Sequence, residues 1–402
     1  MQLHAIKINE NYTYVGVNDR ETERFEGQWP LPNGVTYNSY IVCGEKTALM
    51  DCVKVTKIDD FKEKIEEALN GKPLDYLVVH HMEPDHSSSI EFVREWYPDV
   101  QIVGNKATRL MLKAFYGIDE ILEVGEGDTL DLGDGVELTF YRTPMVHWPE
   151  SMVSYEKKYK TVFSQDAFGS FGTLDGGIFD DELNWAYYED EARRYFTNIV
   201  GKFYAQVRPA LKKLSALDIK QIFPIHGPLH RSHPERIMKC YEDWCNLKTE
   251  EGVVIVYGSM YGNTARAADV FARALAEEGI KNIRVFDVSK THASFIQSEI
   301  WKYKGLAIAS CTYNNGLFFP MVALCHILKA NRLTNRVFAT FGSYSWSGGA
   351  LDALKTFGEE CKYDMIDDFV EFKSAPTKED LEHLREVAKK MAARIRETAD
   401  EA

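Results

Sequence analysis

The stretch Asp75-Tyr-Leu-Val-Val-His-His-Met-Glu-Pro-Asp-His86 joins a short apolar run to a cluster of potential metal ligands. The apolar run predicts a buried β-strand, and the residues after it are predicted to form a loop. Four side chains of that loop, His81, Glu83, Asp85 and His86, are of types that bind metal ions. Because α/β sheets carry their functional residues at the carboxyl ends of strands, the stretch predicts a metal site at a sheet edge.

Three more candidate ligands, His147, Asp166 and His226, follow predicted strands farther along the chain. The complete set has four imidazoles and three carboxylates, which is too many for one tetrahedral ion. We therefore predict two metal ions with one carboxylate bridging them. The set lacks cysteine, which disfavours a structural zinc site. Imidazole and carboxylate ligands suit non-haem iron or manganese, and zinc stays possible.

The pattern around this cluster predicts a layered α/β domain over residues 1–249. A hairpin is expected from Thr36–Cys43 and Lys46–Asp51, followed by an amphipathic helix over Ile58–Leu69. Another helix is expected to start near Ser87, and two helices are expected within 181–214. The polar break Lys248-Thr-Glu-Glu-Gly252 marks the predicted boundary to a second domain, 250–402.

The second domain alternates strands and helices more regularly, with five β–α units that predict a doubly wound parallel sheet. Its first strand, Val253–Tyr257, leads into Gly258-Ser-Met-Tyr-Gly-Asn-Thr264 and a helix. Backbone N–H groups of such a loop, together with a helix N-terminus, bind a phosphate monoester. The loop lacks the lysine of a nucleotide-triphosphate P-loop and the G-x-G-x-x-G pattern of a dinucleotide site.

Two further loops, 310–316 and 342–349, are rich in glycine, serine and aromatic residues and follow the third and fourth strands of this domain. In a doubly wound sheet both loops lie at the same edge as the phosphate loop. A planar ring between them would occupy the usual ligand position of the fold. The three loops together predict a site for a phosphorylated, ring-bearing cofactor.

Composition excludes several function classes. The 402 residues carry 61 acidic and 47 basic side chains, for a net charge of −14, which disfavours nucleic acids and anionic membrane surfaces as partners. No apolar stretch approaches the ~20 residues of a membrane span, and the polar N-terminus does not resemble a signal peptide. The seven cysteines form no C-x-x-C pair, so we expect a reducing cytoplasmic setting.

The H-x-E-x-D-H pattern of residues 81–86, with His147, Asp166 and His226, resembles the metallo-β-lactamase-like fold. Hydrolases of that superfamily usually have histidine as the second ligand. Glu83 at this position resembles the flavodiiron proteins instead, and the segment from 253 onward resembles flavodoxin. The resemblance implies an α/β fold with an N-terminal metallo-β-lactamase-like αββα sandwich and a C-terminal flavodoxin-like doubly wound sheet. It also implies the two-domain class, with no appended rubredoxin or flavin-reductase module.

The resemblance further implies a ligand set and a cofactor site. His81, Glu83 and His147 are expected to bind one iron, Asp85, His86 and His226 the other, and Asp166 to bridge them. In some relatives the histidine equivalent to His86 swings away from the metal, and a water molecule takes its ligand position. Tyr195 is expected near the diiron pocket. Contacts to FMN are expected at Ser259, Met260, Tyr261, Gly262, Asn263 and Thr264 around the phosphate, and at Thr312, Tyr313, Asn314 and Gly316 on one side of the flavin ring with Ser343, Tyr344, Trp346 and Gly349 on the other.

The activity implied is reduction of dioxygen to water, of nitric oxide to nitrous oxide, or of both, as a detoxifying oxidoreductase of an anaerobe or microaerophile. Two ferrous ions and reduced FMN hold about four electrons, which matches reduction of dioxygen to water. The implied donor is rubredoxin or a reduced deazaflavin, and the implied assembly is a head-to-tail homodimer or a dimer of dimers.

Two alternatives stay open. One is a zinc hydrolase with a fused flavodoxin domain, which Glu83 argues against. The other is an electron carrier that uses only FMN, which leaves the seven candidate ligands unexplained.

Overall fold

The computed structural model describes residues 4–399, and the chain divides after Glu242 into two compact units. The predicted domains, 1–249 and 250–402, include residues 1–3 and 400–402, which lie outside the described part of the chain. Within residues 4–399, no helix is both long and apolar enough to cross a bilayer. The seven cysteines all lie in this range and none is in a disulfide.

The first unit contains short strands and helices in a mixed order. Its strands are β1 (Ile6–Lys7), β2 (Tyr12–Tyr14), β3 (Val17–Asp19), β4 (Arg24–Phe25), β5 (Trp29–Pro30), β6 (Val35–Tyr37), β7 (Tyr40–Cys43), β8 (Thr47–Met50), β9 (Tyr76–Val78), β10 (Gln101–Gly104), β11 (Leu122–Glu123), β12 (Thr129–Asp131), β13 (Glu137–Arg142), β14 (Met152–Glu156), β15 (Thr161–Gln165) and β16 (Gln221–Pro224). Its helices are α1 (Ile58–Leu69), α2 (Pro84–Ser87), α3 (Ile90–Trp96), α4 (Lys106–Tyr116), α5 (Trp185–Tyr195) and α6 (Tyr204–Leu214), and α7 (Pro234–Cys245) crosses into the second unit.

Two sheets form the body of the first unit. One has the order β1-β2-β7-β8-β9-β10-β11 and the other β12-β13-β14-β15-β16. Buried side chains of both sheets belong to a single core, for example Val42 and Val78 from one sheet and Phe140 and Phe163 from the other. Successive side chains of a strand point to opposite faces of the sheet. One face of each sheet can therefore be apolar and pack against the apolar face of the other sheet. This is the predicted lactamase-like sandwich.

The predicted strand Thr36–Cys43 is interrupted, which is a correction to the sequence analysis. Its first part, β6, pairs with β3, and only its second part, β7, forms the hairpin with β8. The interruption falls at Asn38, whose side-chain amide donates to the carbonyl oxygens of Pro224 at 2.9 Å and Gly227 at 2.8 Å. These bonds brace the loop after β16, which carries His226.

The helix expected near Ser87 is also placed differently. A single short helix, α2, begins at Pro84, and α3 starts only at Ile90. Proline is favoured at the first helical position because its missing N–H group needs no partner there. The candidate ligands Asp85 and His86 therefore lie on a helical turn rather than in an open loop.

The two helices expected within 181–214 are observed as α5 and α6. They are joined by a π-helical turn, Phe196–Val200, and a 3₁₀ turn, Gly201–Phe203. Tyr195 is the last residue of α5, directly before the π-helical turn. Such turns inside helices are frequent at functional sites because they rotate the side chains that follow or precede them.

The second unit is a parallel sheet covered by helices. Its elements are β17 (Glu250–Gly258), α8 (Asn263–Glu277), β18 (Ile283–Asp287), α9 (Ala293–Lys302), β19 (Tyr303–Tyr313), β20 (Gly316–Leu317), α10 (Phe319–Ala330), β21 (Val337–Tyr344), α11 (Ala350–Glu360), β22 (Asp364–Met365), β23 (Val370–Lys373) and α12 (Lys378–Ala399). The parallel pairs β18–β17, β17–β19, β19–β21 and β21–β23 give the doubly wound order that the sequence predicts. The loops after β17, β19 and β21 consequently share one sheet edge.

Candidate metal centre and flavin site

All seven predicted metal ligands meet in one pocket of the first unit. They come from separate elements, because His81 and Glu83 follow β9, Asp85 and His86 lie on α2, His147 follows β13, Asp166 follows β15 and His226 follows β16. Six of the seven are buried, and Asp85 is partly buried. The sheets thus bring together side chains that are far apart in sequence.

Four of these side chains form one group around His147. Its Nε2 atom lies 3.0 Å from Glu83 Oε2, 3.3 Å from His81 Nε2 and 3.2 Å from Asp166 Oδ2. The distance between His81 Nε2 and Asp166 Oδ2 is 3.1 Å. Ligands of one ion, each about 2.0–2.2 Å from it, have separations of this size.

A second group lies on the other side of Asp166. The Nε2 atom of His226 is 3.2 Å from Asp166 Oδ1 and 3.3 Å from Asp85 Oδ2. His86 Nε2 is 3.6 Å from Asp85 Oδ1 and 3.9 Å from Asp166 Oδ2, so it lies close to both groups. Asp166 has one carboxylate oxygen toward each group, which is the arrangement of a bridging ligand.

Hydrogen bonds to the far side of two imidazoles decide where their lone pairs point. His81 Nδ1 lies 2.7 Å from Glu150 Oε1, an oxygen that also accepts the N–H of Met82. His226 Nδ1 donates to the carbonyl oxygen of Thr36 at 2.6 Å. Because these partners are acceptors, the ring proton resides on Nδ1 and the Nε2 lone pair faces the pocket. This is the usual orientation of a histidine that binds metal.

The pocket contains polar atoms that the protein alone does not satisfy. Both carboxylate oxygens of Asp85, Oδ2 of Asp166, both ring nitrogens of His86 and Nε2 of His226 are buried without a hydrogen-bond partner. Leaving such atoms unpaired costs about 1–3 kcal/mol each. Cations between the carboxylates and the imidazole lone pairs would satisfy the carboxylate oxygens, Nε2 of His226 and one ring nitrogen of His86. The residues therefore fit two metal ions.

The electrostatics of the pocket also favour positive charge. Burial lowers the pKa of His226, but the neighbouring carboxylates of Asp166 and Asp85 outweigh it and raise this pKa to about 10. The same holds for His147. Burial lowers its pKa, but Asp166 and Glu83 outweigh this effect and raise the pKa to about 9. A protonated imidazole is a substitute for a metal cation in such a pocket.

Three further residues lie next to the candidate ligands. Tyr195, which the sequence analysis places near the pocket, is buried and donates its hydroxyl to Asp166 Oδ1 at 2.8 Å. Glu150 and Glu26 were not predicted. Glu26 lies with Glu83 and His147, and burial and the neighbouring Glu83 raise its pKa to about 7. Neither glutamate has a sequence signal, because both contacts arise from chain segments that only the fold brings to the pocket.

The predicted phosphate loop of the second unit has the geometry of an anion site. Gly262 has φ +94°, in the left-handed region, and its N–H group bonds to Ser259 Oγ at 3.1 Å. The helix α8 begins at the next residue, Asn263, so its first N–H groups face the loop. Thr264 is buried, and its hydroxyl lies 3.0 Å from that of Ser343 in the loop after β21.

A cleft of about 240 Å³ lies between the three loops. Six of the predicted flavin contacts line it, namely Met260, Thr312, Asn314, Ser343, Tyr344 and Trp346. It is also lined by Cys311, Asn315, Ser345 and Ser347, which the sequence analysis did not select. The other predicted contacts, Ser259, Tyr261, Gly262, Asn263, Thr264, Tyr313, Gly316 and Gly349, lie in the same loops or at their ends but do not line the cleft. Trp346 is 92% exposed, which leaves its ring free to cover a planar ligand.

Comparisons with known proteins match both units. A family model described as ODP family beta lactamase matches residues 35–227, and a flavodoxin model matches residues 255–387. The anaerobic nitric oxide reductase flavorubredoxin of Vibrio vulnificus is 31% identical over 356 residues, which cover 87% of this chain and 72% of the relative. Its counterpart in Escherichia coli is 30% identical over 401 residues, covering 96% and 83%. The chain belongs to the flavodiiron protein family.

Solved structures agree with this assignment. The rubredoxin oxygen:oxidoreductase of Desulfovibrio gigas superposes with a TM-score of 0.93 at 30% identity, covering 98% of each chain. The flavodiiron protein of Giardia intestinalis has a TM-score of 0.93 at 25% identity, covering 99% of this chain and 98% of that one. As a flavodiiron protein, the chain uses FMN and a non-haem diiron centre, and it is an oxidoreductase.

We predict that Glu150→Gln weakens metal binding of this flavodiiron protein by 10–100-fold, the usual effect of losing a carboxylate that orients a ligand. The amide is neutral, so it holds the Nδ1 proton of His81 less strongly than Glu150 Oε1 does. Competition with a chelator measures the affinity. Glu120→Gln, at an exposed position, is the control. Equal affinities of the two variants would contradict the prediction.

We predict that Gly349→Ala lowers FMN affinity at least tenfold. Gly349 has φ +132°, and a Cβ atom there would lie 2.3 Å from the carbonyl oxygen of Asn315, so the two flavin loops would have to separate. The adjacent Gly348→Ala is a matched control, because its Cβ would approach nothing closer than 3.4 Å. Quenching of FMN fluorescence by apoprotein gives both dissociation constants, and equal values would show that the close approach is unimportant.

Proposed function

We propose that this flavodiiron protein takes electrons from an external donor through FMN and reduces dioxygen to water, nitric oxide to nitrous oxide, or both. The observation that carries the proposal is the pair of buried ligand groups that share Asp166, in a chain that also has three loops suited to a flavin. Relatives named as nitric oxide reductase and as rubredoxin oxygen:oxidoreductase support both substrates.

Bound FMN and iron would supply the electron transfer, and the protein's own residues would position and protect these groups. We propose that His81, Glu83 and His147 hold one iron, that Asp85, His86 and His226 hold the other, and that Asp166 bridges them. Glu150 fixes the ring of His81, and the carbonyl of Thr36 fixes that of His226. Tyr195 keeps one oxygen of Asp166 in a hydrogen bond, which orients the bridging carboxylate.

The proposed donor is rubredoxin or a reduced deazaflavin. The Desulfovibrio gigas relative is named for rubredoxin, which supports the first of these. We place the protein in a reducing cytoplasm, since none of its cysteines is in a disulfide.

The test of this function is turnover of the purified, reduced protein with dioxygen and with nitric oxide under otherwise anaerobic conditions. Iron, zinc and flavin are measured on the same sample. We expect about two irons and one FMN per chain, together with consumption of at least one gas. Two zinc ions without gas consumption would contradict the proposal and favour a hydrolase.

The variant Asp166→Ala tests the metal centre independently of the flavin site. The variant loses the carboxylate that has one oxygen toward each ligand group, so we expect gas reduction to fall to background. Asp166 is in the first unit, so bound FMN and its reduction by dithionite should be unchanged. Turnover equal to that of the parent would instead support an electron carrier that uses FMN alone.

We also propose a head-to-tail homodimer, or a dimer of dimers, in which FMN of one chain serves the irons of its partner. The two sites lie in separate units of the chain, and a second copy offers a way to bring unlike sites together. Sedimentation equilibrium of the active protein should give a multiple of 46.0 kDa. An active sample with the mass of a single chain would contradict the proposal.

A further inference from the structure

A short hairpin packs against the metal centre without belonging to either large sheet. It consists of β4 and β5, which pair only with each other. The ring of Phe25, at the end of β4, lies 5.4 Å from the ring of His226 and 6.1 Å from that of Tyr195. The tip of the hairpin is thereby fixed next to the ligand groups.

Glu26 occupies this tip in a constrained conformation. Its φ is +51°, in the left-handed region, and Gly27 after it has φ +69°. The N–H of Gln28 donates to the carbonyl of Phe25 at 2.9 Å and closes the turn. The indole N–H of Trp29 donates to Glu26 Oε2 at 2.9 Å. Turn and indole together set the direction of the Glu26 carboxylate.

That direction is toward the ligand group around His147. A carboxylate oxygen of Glu26 and the ligand atoms of Glu83 and His147 all lie within 4.8 Å of one another. Two ligands on opposite sides of one ion are about 4.2 Å apart, twice a metal–ligand distance of about 2.1 Å. The three atoms are therefore close enough together to bind the same ion.

An independent observation favours a cation on this side of the pocket. Asp166 Oδ2 is fully buried, has no hydrogen-bond partner and lies 3.2 Å from His147 Nε2. Its lone pairs need a positive partner there. The three ligands proposed for this ion and the bridging Asp166 make four, which is fewer than the six of an octahedral site.

We propose that Glu26 is an additional oxygen ligand of the ion held by His81, Glu83 and His147. This inference rests on the metal centre of the proposed function and adds a ligand from outside both sheets. The two ions then differ in the negative charge that their ligands supply. The ion next to Glu26 has two carboxylates of its own and shares Asp166, whereas the other ion has only Asp85 and the same share. An exogenous anion is accordingly expected to bind at the ion held by His226.

Cobalt substitution of the whole protein tests the ligand. Apoprotein is prepared with a chelator and titrated with Co²⁺, whose visible absorption becomes more intense as the number of its ligands falls. We expect Glu26→Gln to bind two ions, one of them at least tenfold more weakly than in the parent and with stronger visible absorption. Glu23→Gln is the matched control, because Glu23 is an exposed carboxylate of the same segment.

The outcomes separate this proposal from the one on which it rests. If Glu26→Gln and Glu23→Gln have the same cobalt affinity and visible spectrum, the proposed role of Glu26 is wrong. The proposal of a two-metal centre would be unaffected by that result. A parent protein that does not bind two cobalt ions would overturn the centre itself.

A crystal structure of the cobalt-loaded parent decides the same question without any variant. An oxygen of Glu26 within about 2.2 Å of an ion supports the proposal. A Glu26 carboxylate that lies beyond ligand distance of both ions contradicts it.

Discussion

The position of Asp166 between the two groups of candidate ligands is the constraint on which the first unit depends. Its two oxygens lie 3.1–3.2 Å from the ring nitrogens of His81, His147 and His226 in a pocket that excludes water. Lone pairs of carboxylate and neutral imidazole repel one another at this distance, and the repulsion is strong where the dielectric constant is low. The arrangement needs positive charge between them, which protons on His147 and His226 supply where metal ions are absent. The surrounding structure must therefore hold the ligands rigidly before any ion arrives.

The two sheets provide this rigidity by ending their strands at the pocket. Each ligand loop starts from a strand whose pairing is fixed along its length, and the loops are then tied to one another. Asn38 is an example. The strand is interrupted at this residue, and its side-chain amide donates to carbonyl oxygens on both sides of His226. Glu150 likewise bonds at once to the ring of His81 and to the N–H of Met82. The metal site is preorganised by contacts that never touch the metal.

The sequence predicted those parts of the molecule whose signal is local. The run from His81 to His86 carries four candidate ligands in one segment, and the helix Ile58–Leu69 is observed with the predicted bounds. The interruption of the strand at Asn38 was missed because its partners lie 186 and 189 residues away. Glu26 was missed for the same reason, since a single glutamate in a turn is ordinary until the fold places it beside Glu83. Contacts between distant segments leave no periodic pattern in a sequence.

The metal centre can be divided in the same way. The candidate ligands, whose sequence signal is local, form an inner layer, and the residues without a local signal form an outer layer. The candidate ligands follow strand ends, so the sandwich itself brings them together into two groups. Glu26, Phe25 and Tyr195 come instead from a hairpin and a helix end outside the sheets. Substitutions there change the charge and shape around the ions while the seven candidate ligands that follow the strands are kept. A preference for one diatomic gas over another must therefore arise in this outer layer, because the inner layer presents the same donors to both.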